Sequence, residues 1–152
     1  MTKKEKIEGI LDFIAGYNRR QYEYGKEYRK YGTDHLLRHD QVHMIKHIGQ
    51  NQDCNLRYLA DTIGLGLPTV SLQVKKLEKM GLVIKRRSDT SLRELELNLT
   101  DAGWQVFHYH EDLDGRFVET TTDAMEKRYS SEELEIIHDF VVHILMSEEN
   151  KI

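Results

Sequence analysis

The side chains whose spacing first points to chemistry are histidines. The chain of 152 residues carries eight of them, and His35, His39, His43 and His47 recur at every fourth position. On a helix that extends so far, such a row lies along one side, and imidazoles four apart can share a metal ion. The same row is also an ordinary set of partly buried polar side chains, so spacing alone leaves both readings open. Further on, His108 and His110 stand near Glu111, Asp112 and Asp114, with His110 and Asp114 four apart. The lone cysteine, Cys54, rules out an internal disulfide. Asp53 precedes it and nothing basic flanks it, so an inert thiol is expected. There is no glycine-rich phosphate loop, no His-Glu-x-x-His and no nucleophile elbow. Gly64-Leu65-Gly66 is too short to cradle a dinucleotide. These absences speak against an enzyme.

A second chemistry is carried by charge. The net charge is −4, which by itself argues against a nucleic-acid partner, but it is unevenly spread. From Gly66 to Arg93 stand seven basic residues (Lys75, Lys76, Lys79, Lys85, Arg86, Arg87, Arg93) against Glu78 and Asp89, a net of +5. From Glu94 onward, 15 acids face four bases, a net of −11. Local charge sets attraction to phosphates, so the middle third is the expected electropositive face.

The elements that must position these groups are mostly helical. Pro68 is the only proline, and 32% of residues are charged, which suits long solvated helices. No apolar run approaches the ~20 residues that span a bilayer, and Met1-Thr2-Lys3-Lys4-Glu5-Lys6 does not lead into a signal-peptide stretch. A cytoplasmic protein is expected. Ile7, Ile10, Leu11, Ile14 and Tyr17 recur at helical spacing and predict a first helix from about Lys4 to Tyr31, broken by Gly32-Thr33. A second helix is predicted from Asp40, as N-cap, to Ile48. Asn55 caps a third, Leu56 to Ile63. A fourth starts with Pro68 in its first turn and runs to Met80, where Gly81 stops it. Leu82-Val83-Ile84 and the alternating Glu94–Leu99 then predict a two-stranded hairpin with a polar tip at 87–91. Thr100 caps a long fifth helix, Asp101 to about Arg128, and Ser130 or Ser131 caps a sixth through a capping box.

Leu56 to Leu65 followed by Val70 to Leu77 forms a helix-turn-helix pattern. Ala60 is small where the next helix crosses, and Gly64 permits the turn. Leu56, Leu59 and Ile63 face the core from the first helix of the pair; Val70, Val74 and Leu77 do so from the second. The solvent side of the second helix is then Thr69, Ser71, Leu72, Gln73, Lys75, Lys76 and Lys79. Hydroxyls and an amide near its start suit base edges, and the lysines suit phosphates. An ordinary helical hairpin is the bland alternative, and the basic β-hairpin that follows weighs against it.

This order of helices, helix-turn-helix pair, hairpin and two further helices resembles the MarR family of transcriptional regulators over essentially the whole chain. The matching text is Thr69-Val70-Ser71, Leu77-Glu78-Lys79-Met80-Gly81-Leu82-Val83, and Arg93 to Gly103 with its Leu99-Thr100-Asp101-Ala102-Gly103 boundary. Ser91 stands where the family usually has an aspartate two residues before the wing arginine. The resemblance implies a mainly α winged helix-turn-helix fold of about six helices plus a two-stranded β wing, with an obligate-type helical dimer interface. It implies dimerisation helices at 1–32 and 129–152, a DNA-binding lobe at 33–100 and a connecting helix at 101–128. It further implies recognition helices in successive major grooves of a pseudo-palindromic operator and wings reaching towards the minor groove, with Arg93 as the wing arginine and Arg86 and Arg87 as phosphate contacts.

The histidines sharpen the resemblance towards the zinc-sensing uptake repressors of that family, whose main site takes a Glu from the first helix, a His from the second and a His-x-x-x-His pair from the fifth. Registering the helices places Glu23, His43, His110 and Asp114 there, all residue types that zinc accepts. Asp114 replaces the second fifth-helix histidine, and a slip of the first-helix register would offer Glu27 instead of Glu23. Val42 and Tyr109 fall where a secondary site of those repressors has carboxylates, so that site is not expected. The resemblance also allows an organic effector, phenolic or otherwise amphipathic, in a pocket lined by aromatics such as Tyr17, Tyr22, Tyr24, Tyr28, Tyr31, Trp104, Phe107 and Tyr109. Aromatics at these spacings are more often core or dimer-interface residues. An alternative of another class is a winged-helix scaffold that binds proteins without specific DNA binding.

Overall fold

The computed structural model describes residues 1–87 and 95–149. Six helices and two small antiparallel sheets follow in the order α1 (Lys3–Lys26), β1 (Tyr28–Lys30), β2 (Leu36–Arg38), α2 (His39–Gln50), α3 (Leu56–Ile63), α4 (Leu67–Lys79), β3 (Val83–Arg87), β4 (Leu95–Leu99), α5 (Asp101–Glu126) and α6 (Ser131–Glu149). They form two compact units, 1–111 and 112–152, and the division falls within α5.

Local chemistry sets most boundaries. The Thr2 hydroxyl accepts from the Glu5 amide and the Glu5 carboxylate from the Thr2 amide, a capping box that starts α1. Asn55 Oδ1 accepts from the Tyr58 amide at 2.8 Å to start α3. Gly64, at φ +73°, takes the left-handed turn that ends α3. Ser130 and Glu133 exchange hydrogen bonds at the start of α6, the predicted capping box.

Three expectations are corrected. The first helix ends at Lys26, not Tyr31, and the chain then folds into a short hairpin, β1 pairing β2 with Tyr28 opposite Arg38. The cause is non-local: Tyr31 and Leu37 are buried in the core, and Gly32, at φ +68°, brings the backbone against the Tyr109 side chain on α5. Second, α2 starts at His39 with Arg38 as N-cap residue, because the Gln41 side-chain Oε1 accepts from the Arg38 backbone amide at 3.0 Å. Asp40 sits inside the first turn and pairs with the Arg38 guanidinium. Third, His35 lies in the loop of the hairpin, outside α2, so the histidine row shortens to His39, His43 and His47.

The core of the first unit gathers the apolar faces of α2, α3 and α4, both wing strands and the start of α5. Val42, Ile45, Ile48, Leu59, Val70, Val74, Leu77, Leu82, Leu97 and Val106 lie within it. Leu56 and Ile63 pack against it at its margin. The wing strands pair from Val83–Leu99 to Arg87–Leu95, and Cys54 bridges to Leu97 on the far side of β4. No residue of α1 is buried, although Ile7, Leu11, Phe13 and Tyr17 are apolar and exposed. In the second unit Ile136, Ile137, Val141 and Met146 of α6 are likewise exposed.

Candidate functional site

Helix α4 is fixed from beneath. Val70, Val74 and Leu77 are buried, and spacing of about 3.6 residues per turn then turns the intervening positions outward. Thr69, Leu72, Lys75, Lys76 and Lys79 are exposed, and Ser71 and Gln73 are half-buried. Gly66 caps the helix without a side chain and Pro68 occupies its first turn, leaving the N-terminal amides open. Glu78 does not face this surface as a free acid: it accepts from Lys85 Nζ of β3 at 3.1 Å. Arg86 and Arg87 at the end of β3 are exposed. A basic helix face thus adjoins a basic strand end. Arg93 and the wing tip lie outside the described residues.

The histidines form a separate cluster in the first unit. His39 and His43, one turn apart on α2, have ring centres 4.1 Å apart. His110 of α5 meets both, at 5.3 Å from His43 and 5.8 Å from His39, and is only 3% exposed. Tyr24 of α1 lies edge-on to His39 at 5.9 Å, and Tyr31 edge-on to His110 at 6.2 Å. Burial pushes the Tyr31 phenol up, with the Arg29 guanidinium a smaller opposing influence. Lys46 of α2 pairs with Glu111 of α5 at 3.1 Å beside the cluster. A cavity of about 290 Å³ opens next to it, lined by Tyr22 and Lys26 of α1, Arg38, His39 and His43, and Leu65 of the turn after α3.

The four residues expected to bind zinc are therefore placed unequally. His43 and His110 face one another. Glu23 is exposed and paired with Lys26 at 3.1 Å. Asp114 belongs to the second unit. Among the described residues, no three His, Cys, Asp or Glu side chains already converge on one metal position. Imidazole nitrogen is a donor that zinc accepts, and His110 lies within 5.8 Å of both His39 and His43 between ring centres. His39 was visible in the sequence as a histidine four before His43, but only the fold brings both against His110.

Of the aromatic positions considered for an organic pocket, Tyr22 lines the cavity. Trp104 and Phe107 pack against the core instead. Cys54 is part-buried and its thiol is pushed up to about 11 by desolvation, consistent with an inert side chain.

Residues 37–95 match the model of the MarR family. That stretch, under half of the chain, covers most of the winged-helix lobe. Three solved MarR-type structures are similar to the chain over nearly its full length. FabT of Streptococcus pneumoniae in complex with DNA has a TM-score of 0.75 at 22% identity, covering 97% of this chain and 99% of that one. The zinc-responsive MarR family member ZitR of Lactococcus lactis has a TM-score of 0.75 at 18% identity, covering 99% and 100%. The adhesin competence repressor AdcR of Streptococcus pyogenes has a TM-score of 0.69 at 20% identity, covering 95% and 98%. At these identities the likeness is one of fold. No curated protein matches the chain. Among the described residues, no helix is long and apolar enough to cross a membrane.

Proposed function

We propose that this MarR-domain protein is a homodimeric, non-enzymatic transcriptional regulator, a repressor acting in the cytoplasm. It binds double-stranded DNA at a pseudo-palindromic operator and has zinc as effector. The observation that carries the DNA reading is the outward face of α4. Thr69, Ser71, Leu72 and Gln73 are offered to base edges, Lys75, Lys76 and Lys79 to phosphates, and Arg86 and Arg87 extend the basic surface along β3; Arg93 is proposed as a further DNA contact on its sequence alone. The exposed apolar side chains of α1 and of α6 supply the material for a dimer interface. The family domain and the DNA complexes among the similar structures support the same reading.

Zinc is supported by the meeting of His43 and His110 and by the zinc-responsive ZitR among the similar folds. Bound there, the metal would supply a fixed link between α2 and α5. Because α2 packs on α3, α4 and β4, that link would favour one placement of the recognition helix, and only a difference in affinity between two placements can alter DNA binding. A second reading, an amphipathic organic effector, is favoured by the 290 Å³ cavity with Lys26 and Arg38 at its wall. Mobility shifts on genomic fragments, at two salt concentrations and with or without zinc, test the proposal. Binding that weakens steeply with salt and changes with zinc is expected. A flat salt response would sink the DNA reading, and a zinc-independent shift would hand the effector role to the organic ligand.

A further inference from the structure

We infer that Leu72 is a specificity-determining residue, an apolar probe at the centre of the outward face of α4 that reads the C5-methyl group of a thymine in each operator half-site. The inference rests on the DNA reading above and names the part of the base pair that one side chain senses.

Helix α4 is anchored by Val70, Val74 and Leu77, all fully buried. At about 100° per residue, Leu72 falls almost diametrically opposite the mean direction of these three. It therefore stands at the crest of the helix, and it is 55% exposed. Beyond Leu67 and Pro68, the exposed positions of α4 are Thr69, Leu72, Lys75, Lys76 and Lys79. Leu72 is thus the apolar member of a face otherwise made of hydroxyl and ammonium groups. Glu78, the one acid of the helix, is paired with Lys85, so the lysines set the charge of this face. An isolated exposed leucine is ordinary on a protein surface; what singles this one out is its place between two cations. Lys75 and Lys76 lie about 60° and about 40° to either side of it around the helix, one turn further along. With those two ammonium groups turned to the opposing phosphate strands of a major groove about 12 Å wide, Leu72 points at the groove floor.

A leucine side chain has no donor and no acceptor. On the floor of the major groove the base edges present amino groups, carbonyl oxygens, ring nitrogens and one apolar group, the thymine methyl. Packing on that methyl removes both partners from water. Against a G·C pair the same leucine would cover polar groups without replacing their hydrogen bonds with water, which costs affinity. One residue therefore both favours a thymine and disfavours its competitors. Hydrogen-bond readout by Thr69, Ser71 and Gln73 is left for the neighbouring base pairs.

The test uses a duplex that the full chain selects from a random-sequence pool, resynthesised with deoxyuridine in place of thymine at one position at a time. Deoxyuridine pairs as thymine does and lacks only the methyl group. Affinities are read by fluorescence anisotropy at fixed salt for the parent, Leu72→Ala, Leu72→Met and Lys76→Ala, with helix content checked by circular dichroism. At one thymine in each half-site, we expect deoxyuridine to weaken binding by the parent about fourfold, the effect of one buried methyl-sized group. Leu72→Ala should bind the thymine duplex more weakly and be indifferent to deoxyuridine at that position, whereas Leu72→Met should keep the penalty. Lys76→Ala should weaken both duplexes alike. A deoxyuridine penalty as large in Leu72→Ala as in the parent, or none at any thymine in the parent, overturns the inference and leaves the DNA reading standing. If the parent chain retains no duplex from the pool, the DNA reading falls and this inference falls with it.

Discussion

Gly103 shows how little room the junction between wing and α5 leaves. A Cβ at that position would fall onto the Leu82 carbonyl oxygen, with the Leu99 side chain close behind. Backbone cannot swing aside as a side-chain tip can. Gly103→Ala should therefore cost about 2 kcal/mol or more, seen as a lower denaturant midpoint at unchanged slope. An alanine variant as stable as the parent would show that the junction has slack. Cys54 gives a pH-dependent counterpart. Its folded thiol titrates near 11, whereas an unfolded one does so near 8.5. The unfolded chain therefore loses its proton first, and the stability from this group, complete below about pH 8.5, is lost as pH rises towards 11. At pH 8, iodoacetamide should label Cys54 far more slowly in the native protein than in urea. Equal rates would place the thiol in solvent.

At the scale of elements, what was legible in the sequence was what local chemistry decides. Asn55, Thr100 and the Ser130–Glu133 pair announce boundaries because each serves backbone groups a few residues away, and Gly64 and Pro68 do so through their own backbone conformation. The β1–β2 hairpin was not legible. Tyr28, Arg29 and Lys30 prolong the charged, aromatic rhythm of α1, and what turns them into a strand is burial of Tyr31 and Leu37 and the approach of Gly32 to Tyr109, all settled by distant residues. The histidine cluster divides the same way: the His39–His43 pair is a spacing, while its meeting with His110 is tertiary. On the recognition helix the prediction is electrostatic. If Lys75 and Lys76 meet phosphates, Lys75→Ala or Lys76→Ala should weaken all DNA sequences alike and make the salt dependence shallower by about one unit of slope each. Loss of sequence preference instead would move these side chains to the base edges.

For the whole molecule, α1 without a buried residue and the exposed apolar side chains of α6 predict a stable dimer in solution. Sedimentation should give twice the chain mass at micromolar concentration, and Phe13→Glu or Ile137→Glu should shift it towards monomer. Two recognition helices per dimer then require half-sites about one helical turn, roughly 34–36 Å, apart, and inserting five base pairs between them should abolish the high-affinity complex. Binding indifferent to that insertion would mean that each chain reads DNA alone. The one tryptophan adds a property of another kind. Trp104 stacks on His108, meets Phe107 edge-on and anchors its amide on the Thr100 carbonyl, six residues before His110 on the same helix. All indole emission of the chain therefore originates where α5 leaves the wing, so the protein carries a native optical reporter. A change in colour or brightness on adding DNA or zinc can be followed without any label.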